Sequence, residues 1–172
     1  MIFLTLFIFS SILWQEDFAD TTAVAVSQLY DYSIDVSQEE GIVSLTANPQ
    51  LEGGAAAWFY VEEDIAFNAD DLLRIVIKVR DNDVRLRYFY RREGRKVYFG
   101  GDETIRPSAE WQRVEIALAD AKPFYSSDYP YALTPGKQPC LYLFIDNMLP
   151  GNLDVEIDNI SVFAPDASGG ER

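Results

Sequence analysis

The chain of 172 residues is 48% apolar and has a formal net charge of −14, so it can bury one substantial core, and a single domain is expected. The net negative charge argues against partners such as nucleic acid or anionic lipid, because binding to either requires a basic surface. The chain contains no histidine and one cysteine, Cys140, which removes the commonest general base and zinc ligand and excludes an intrachain disulfide. We therefore expect a protein that is not an enzyme.

The N-terminal segment, residues 2–14, is almost wholly apolar and reads IFLTLFIFSSILW. Its length is that of the apolar part of a secretory signal and too short to span a bilayer comfortably. We predict that residues 1–14 are an export signal and that the mature protein is secreted or on the cell surface, with no stable membrane span. The segment lacks the basic residues of such signals, so the alternative is a retained segment that serves as a strand or an assembly anchor.

Strand-like apolar runs recur at short intervals from Leu29 onward, and helical periodicity is almost absent. Turn-forming residues separate them, as at Asp81-Asn82-Asp83 and Gly100-Gly101. This pattern predicts an all-β domain over residues 15–165, an antiparallel β-sandwich of the jelly-roll type, followed by a flexible tail at 166–172. The predicted strands are residues 29–36, 41–47, 55–62, 72–80, 84–92, 95–99, 111–118, 141–146 and 153–163.

The alternation of apolar and polar residues within these runs predicts which side chains face the core and which face the surface. The predicted core side includes Leu73, Ile75, Leu86 and Tyr88. The opposite side is basic, since residues 74–113 hold eleven of the fourteen Lys and Arg residues. Such a surface would attract an anionic ligand or an acidic patch on another copy. The alternative is that these arginines form cross-strand ion pairs with acids such as Glu115 and Glu156.

The order of short motifs along the chain resembles a known family. The motifs are EDF at residues 16–18, GIVSLTA at 41–47, WQRVEIAL at 111–118, LYLFIDN at 141–147 and DVEIDNISV at 154–162. Together they resemble the galactose-binding-like jelly-roll of non-catalytic carbohydrate-binding modules, and they are similar to family 11 modules and to complex I intermediate-associated protein domains.

The resemblance implies a structural calcium ion (Ca²⁺). In such modules an acidic residue near the first strand and the aspartate of the final strand commonly hold the ion, and the matching residues here are Glu16 or Asp17 and Asp158. A hard cation of this kind requires several oxygen ligands, which carboxylates and loop carbonyls supply. The alternative for Asp158 is a carboxylate that accepts backbone N–H bonds at a turn, and for Glu16 and Asp17 a plain surface role.

The resemblance also implies binding of a polysaccharide or glycan through aromatic side chains that stack on sugar rings. Strand arginines, which a neutral glucan does not require, suggest an acidic polysaccharide held through its carboxylate or sulfate groups. Packing in the core is the alternative role for each aromatic residue, and Trp111 is expected to be a core or rim residue. The predicted ligand-binding residues are Trp58, Tyr60, Arg85, Arg87, Arg91, Tyr125, Tyr129 and Tyr142.

The leading functional hypothesis is therefore a secreted, non-catalytic carbohydrate-binding domain with a structural calcium. The rival is a self-associating extracellular structural subunit, a homo-oligomer in which the basic sheet of one copy meets the acidic remainder of the next. A polysaccharide lyase that uses tyrosine as its base is a third hypothesis, although no spacing in the sequence singles out a catalytic pair.

Overall fold

The computed structural model describes residues 11–19, 27–28, 35–47, 56–61, 65–94, 97–124, 140–147 and 152–164, with the backbone alone at 27–28, 56–61, 124 and 147. Within these ranges the chain forms twelve strands in two antiparallel sheets. The one helical element among them is a 3₁₀ turn, Leu118–Asp120. The predicted all-β sandwich is therefore confirmed.

Sheet A contains the first and the last strands of the described chain. Its members are β1 (Ser11–Glu16), β3 (Asp35–Glu39), β4 (Ile42–Ala47), β6 (Leu72–Val79), β9 (Gln112–Ala117) and β12 (Leu153–Ala164). They lie in the order β3-β4-β12-β6-β9, and β1 also pairs with β12. The first part of the long β12 pairs with β4 and its second part pairs with β1, while β6 lies along the other edge.

Sheet B is built from the remaining strands. Its members are β2 (Ser27–Gln28), β5 (Ala56–Val61), β7 (Val84–Arg91), β8 (Tyr98–Ile105), β10 (Lys122–Phe124) and β11 (Leu141–Asn147). Their order is β10-β8-β7-β11-β5-β2. The central strands β7 and β11 are paired from Val84 to Tyr90 of β7, so their outward side chains form continuous rows across the sheet.

The core lies between the inner faces of the two sheets. In β6 every second side chain is buried, as at Leu73 and Ile75, and the residues between them are partly exposed. In β7 the side chains of Leu86, Tyr88 and Tyr90 belong to the same core. The alternation predicted for these strands is therefore confirmed.

The β3–β4 hairpin closes with a two-residue turn, Glu40-Gly41, between the paired residues Glu39 and Ile42. Both turn residues have positive φ, 52° and 80°, as the twist of a tight hairpin requires. A Cβ atom at Gly41 would lie 3.1 Å from the carbonyl oxygen of Asp17. The hairpin tip therefore lies against the segment that follows β1.

The prediction that Gly100-Gly101 is a turn is wrong, because both glycines lie within strand β8. Gly100 pairs with Phe89 and Gly101 with Tyr88 on β7. A Cβ at Gly101 would lie 2.8 Å from the Tyr88 hydroxyl oxygen, and one at Gly100 would overlap the Phe89 ring. The glycines leave room for aromatic rings on the neighbouring strand, which is a recognised reason for glycine inside a sheet.

Strand β1 begins inside the apolar segment that the sequence predicts as an export signal. It pairs with β12 from Ser11 to Glu16, and the Trp14 side chain is buried in the core at 7% exposure. The folded part therefore includes residues 11–14, before the predicted domain start at 15. Residues 1–10 and 166–172 lie outside the described ranges, so the export signal and the tail stay predictions. In the part of the chain that the structure describes, no helix is long and apolar enough to cross a membrane.

Candidate ligand-binding face

The outer face of sheet B brings together most of the described residues that the sequence selected for ligand binding. In β11 the side chains alternate between the core and the outer face. The outward residues of β11 pair with outward residues of β7, and these pair in turn with residues of β8. We call this surface the aromatic face. Its described members are Arg85, Arg87, Phe89 and Arg91 on β7, Tyr98 and Asp102 on β8, and Tyr142, Phe144 and Asp146 on β11.

Four aromatic rings form a cluster on this face. The ring centroids of Phe89 and Phe144 are 5.7 Å apart, those of Tyr98 and Tyr142 are 5.7 Å apart, and those of Tyr142 and Phe144 are 6.4 Å apart. The first two pairs meet edge to face, an arrangement that aromatic rings favour. Phe89, Tyr142 and Phe144 are buried, and Tyr98 is the member of the cluster that is partly exposed. Tyr142 is one of the predicted ligand-binding residues, and Tyr98 is not.

A carboxylate outside the predicted set, that of Asp146, accepts hydrogen bonds from two of the predicted arginines. Arg85 donates two hydrogen bonds to Asp146, from Nε to Oδ1 at 3.3 Å and from Nη2 to Oδ2 at 2.8 Å, and Arg87 Nη2 also donates to Oδ2. The hydrogen bond to Asp146 is the main cause of the raised pKa of Arg85. The Asp146 side chain is only 13% exposed. The sequence could have indicated Asp146, because its position in the alternating run LYLFIDN places it on the same side as Tyr142 and Phe144.

The third predicted arginine is held differently. Arg91 Nη2 donates to the carbonyl oxygen of Ile65 at 2.9 Å, in the loop that precedes β6. On β8, the exposed Asp102 pairs with Arg87 through the backbone register. The described part of the aromatic face therefore contains three guanidinium groups and two carboxylates. Its charge is close to balanced.

The remaining predicted ligand-binding residues are only partly accounted for. Strand β5 pairs Trp58 with Phe144 and Tyr60 with Tyr142, so both positions fall in the rows of the aromatic face. Their side chains lie outside what the structure describes, and so do Tyr125 and Tyr129 altogether. Their role in binding stays a prediction.

The prediction of one basic side is wrong. The strands β6 and β7 follow one another in sequence but belong to different sheets, so their outward residues lie on opposite faces of the sandwich. On the outer face of sheet A, Arg74 forms an ion pair with Glu115 at 2.8 Å, and Arg80 forms one with Glu156. The alternative that these arginines make cross-strand ion pairs is therefore confirmed.

The residues predicted to hold calcium come from strands that do meet. Glu16 on β1 pairs with Ile160 on β12, and Asn159 Nδ2 donates to the Glu16 carbonyl oxygen at 3.2 Å. Asp158 lies next to this contact, exposed, where the register of β12 shifts between Ile157 and Asn159. The shift is a β-bulge, which turns a side chain out of the regular alternation.

The carboxylates themselves do not form an acidic cluster. Glu16 Oε1 accepts from Phe18 N at 2.7 Å, and Asp17 Oδ1 accepts from Ala19 N at 3.1 Å. Among the residues that the structure describes, no three Asp, Glu, His or Cys side chains lie close enough to hold a metal ion. A calcium ion at this end would need backbone carbonyl oxygens for much of its coordination. The calcium site stays a prediction.

Comparison with known proteins identifies the architecture. No protein-family model and no curated protein matches the chain. Among solved structures, the family 11 carbohydrate-binding module of the cellulase Lic26A-Cel5E of Clostridium thermocellum matches with a TM-score of 0.61 and 11% identity, over 95% of this chain and 99% of the module. The chain has the jelly-roll fold of a carbohydrate-binding module.

Two further modules from Clostridium thermocellum share this jelly-roll. A family 11 module in complex with a β-1,3-1,4-mixed-linked tetrasaccharide matches with a TM-score of 0.58 and 11% identity, over 88% of this chain and 95% of that one. A family 30 module of the cellulase Cel9D-Cel44B matches with a TM-score of 0.52 and 14% identity, over 90% and 99% of the two chains. At these identities the likeness concerns the carbohydrate-binding-module fold alone.

Proposed function

We propose that the protein is a non-catalytic carbohydrate-binding domain and that the aromatic face binds the glycan. The observation that supports this site most directly is the pair of arginines fixed by Asp146 beside a cluster of aromatic rings, on the outer face of sheet B. Sugars present apolar C–H faces together with hydroxyl groups, so a surface that binds them needs rings and fixed polar groups side by side.

The polar groups of this face are held in place before any ligand arrives. A guanidinium group has five N–H donors, and Arg85 uses two of them on Asp146, which leaves donors for sugar hydroxyls. The exposed carboxylate of Asp102 supplies an acceptor. Burial raises the pKa of Tyr98, so its hydroxyl stays protonated at neutral pH and can donate. Groups that are already oriented lose little entropy when a ligand binds.

The carboxylates of Asp146 and Asp102 offset two of the three guanidinium charges of the aromatic face, so little net charge is left on its described part. The acidic polysaccharide was predicted because a neutral glucan does not require the strand arginines Arg85, Arg87 and Arg91. Two of these guanidinium groups, those of Arg85 and Arg87, share the Asp146 carboxylate. A ligand carboxylate at the same place would have to compete with Asp146 for the donors of Arg85 and Arg87. We therefore propose that neutral, hydroxyl-rich sugar rings bind here.

The proposal is tested by native affinity electrophoresis in gels that contain β-1,3-1,4-mixed-linked glucan, other neutral polysaccharides or polygalacturonate. We expect retention on at least one neutral polymer, weakened roughly tenfold by Tyr98→Ala, because the partly exposed ring and its hydroxyl are both lost. The control is Arg113→Gln on the exposed surface of sheet A, which should leave retention unchanged. Undiminished retention of the Tyr98→Ala protein would move the site away from the aromatic face.

We also propose that calcium binds where β1 meets β12. Because a bound ion stabilises only the folded state, calcium at about 100 times its dissociation constant adds about 2.7 kcal/mol. For a chain of this size that corresponds to a rise in Tm of roughly 5–10 °C, measured by calorimetry with calcium and with chelator. The Asp158→Asn protein should show a smaller rise. Identical melting of the wild type in both buffers would exclude the site.

The two rival functions have less support. Self-association was predicted from a single basic sheet, whereas the basic residues lie on two opposite faces and several are paired within the molecule. A lyase would need a tyrosinate base, and burial raises the pKa of Tyr98 and raises that of Tyr88 to about 12. Secretion and self-association both stay predictions.

A further inference from the structure

A row of outward side chains crosses the outer face of sheet A, opposite the aromatic face. Lys78 on β6 lies opposite Glu156 on β12, and Glu156 lies opposite Ser44 on β4, which in turn pairs with a serine on β3. We call this set the Trp111 row, and its members are Trp111, Lys78, Glu156, Ser44 and Ser37. Neighbouring strands lie about 4.8 Å apart, so the row is about 19 Å long. A row of this length suits several successive rings of a polysaccharide.

Trp111 supplies an exposed aromatic ring at one end of the row. The β6–β9 register ends with Ile77 opposite Gln112, and one further step places Trp111 opposite Lys78. Trp111 is 39% exposed, so the predicted core or rim residue is a rim residue. The apolar C–H face of a sugar ring packs well on an indole ring of this kind. The row therefore begins with a stacking surface.

A groove lies beside this end of the row. It has a volume of about 400 Å³ and is lined by Lys78, Arg80, Pro107, Ser108 and Ala109. One wall is the loop that leads into β9, and it is held at two points. Ser108 N donates to the carbonyl oxygen of Val79 at 2.8 Å. Gln112 Nε2 donates to the carbonyl oxygen of Arg106 at 2.8 Å. The wall is therefore in place before a ligand binds, which lowers the entropic cost of binding.

The cations of this region are matched by carboxylates of β12. Arg80 forms an ion pair with Glu156, and its Nε atom lies 3.6 Å from Asp154 Oδ1. Lys78 lies opposite Glu156 and also interacts electrostatically with Asp154. Two cations thus face two carboxylates, and the surface has no excess charge with which to select an anion. A neutral ligand fits such a surface better.

The same groups offer a mixture of hydrogen-bond donors and acceptors. A guanidinium group has five N–H donors, and the hydrogen bond from Arg80 to Glu156 leaves others for a ligand. The Ser108 hydroxyl oxygen accepts from Glu110 N at 3.1 Å, so its own proton is left to donate. Further along the row, the Ser44 hydroxyl can both donate and accept. Sugar hydroxyl groups also do both, so they match this mixture.

We propose that the Trp111 row is a second glycan-binding site. One neutral sugar ring stacks on the Trp111 indole with its hydroxyl groups directed to Ser108 and Arg80, and the following rings lie along the row. The inference rests on the proposed function for the class of ligand, but it uses no residue of the aromatic face. Because the two sites lie on opposite sides of the sandwich, one molecule can hold two polysaccharide chains at once.

The test follows the indole N–H signal of Trp111 by two-dimensional NMR while a β-1,3-1,4-mixed-linked tetrasaccharide is added. The chain has three tryptophans, so the signal lost in Trp111→Phe is that of Trp111. We expect a saturable shift of this signal in the wild type. Tyr98→Ala should give the same dissociation constant within about twofold, because the two faces are far apart.

A pair of serine variants tests the groove. Ser108→Ala should raise the dissociation constant measured at Trp111 roughly threefold to tenfold, because one hydrogen bond to the sugar is lost. The matched control is Ser11→Ala, at the exposed start of β1 in the same sheet, which should leave the dissociation constant unchanged. Equal effects of the two changes would remove the groove from the site.

A Trp111 signal that does not move would overturn the proposal, while the aromatic face keeps its own gel test. A shift that is lost in Tyr98→Ala would overturn it as well, because binding would then depend on the opposite face. A galacturonate trisaccharide that bound more tightly than the neutral sugar would contradict the neutral class of ligand. A wild-type shift that persists in Tyr98→Ala and weakens in Ser108→Ala would support the second site.

Discussion

Replacement of Trp14 by alanine is expected to lower the free energy of unfolding by about 3–5 kcal/mol, the usual cost of removing a large buried aromatic side chain. The Trp14 side chain is 7% exposed and belongs to the main core, although it lies in the first described strand. Domains of this kind have a total stability of about 5–15 kcal/mol, so the loss is a large part of it. Urea unfolding followed by circular dichroism measures the change.

A shortened chain tests the same strand as a whole. A protein that begins at Gln15 lacks Trp14 and most of the pairing between β1 and β12, whereas one that begins at Ser11 keeps both. We expect the longer protein to fold and the shorter one to lose at least as much stability as Trp14→Ala. The control is Ile12→Ala in the same strand, which should change stability by less than about 0.5 kcal/mol, because Ile12 is 55% exposed. Equal stability of the two shortened proteins would show that β1 is dispensable.

Asp146→Asn is expected to reverse the ligand preference of the aromatic face. The change removes the carboxylate that Arg85 and Arg87 share and keeps the size of the side chain. Two guanidinium groups then lack their counter-charge, so retention on polygalacturonate should rise about tenfold or more while retention on neutral polysaccharide falls. The cost in stability should be about 1–3 kcal/mol, because Arg85 is partly exposed but Arg87 and Asp146 are largely buried.

A matched variant on the other sheet controls for net charge. Glu115→Gln also removes one carboxylate from an arginine, in the Arg74–Glu115 pair of sheet A. It should leave retention on polygalacturonate unchanged, because that pair lies on the opposite face from Arg85. Equal gains in both variants would mean that overall charge, and not the aromatic face, controls binding to the acidic polymer.

Much of the fold was predictable because strand periodicity is a local property. The alternation in β6, with Leu73 and Ile75 inward, depends only on neighbouring residues, and it correctly predicted the buried side. The glycines of β8 were misassigned for the opposite reason. Gly100-Gly101 has the composition of a turn, and only the rings of Phe89 and Tyr88 on the adjacent strand explain glycine there.

The sequence could indicate which single residues of the candidate site face outward, but it could not show which of them contact one another. Arg85, Arg87 and Tyr142 were selected correctly as outward residues of neighbouring strands, and the structure places them on one face. Asp146 was missed, because its importance comes from two arginines about sixty residues away in sequence that only strand pairing brings to it.

The amino-acid sequence alone predicted the class of fold and the buried side of strands such as β6 and β7, and the family resemblance implied that the two ends of the domain meet. The class of fold and the buried side follow from period-two alternation and turn chemistry, which act over a few residues. The sheet that each strand joins became known from the strand pairing in the structure, and so did the position of the basic residues of β6 and β7 on opposite faces. Charge pairing acts through space, so Asp146 and Glu115 could balance their arginines only after the strands had been placed side by side.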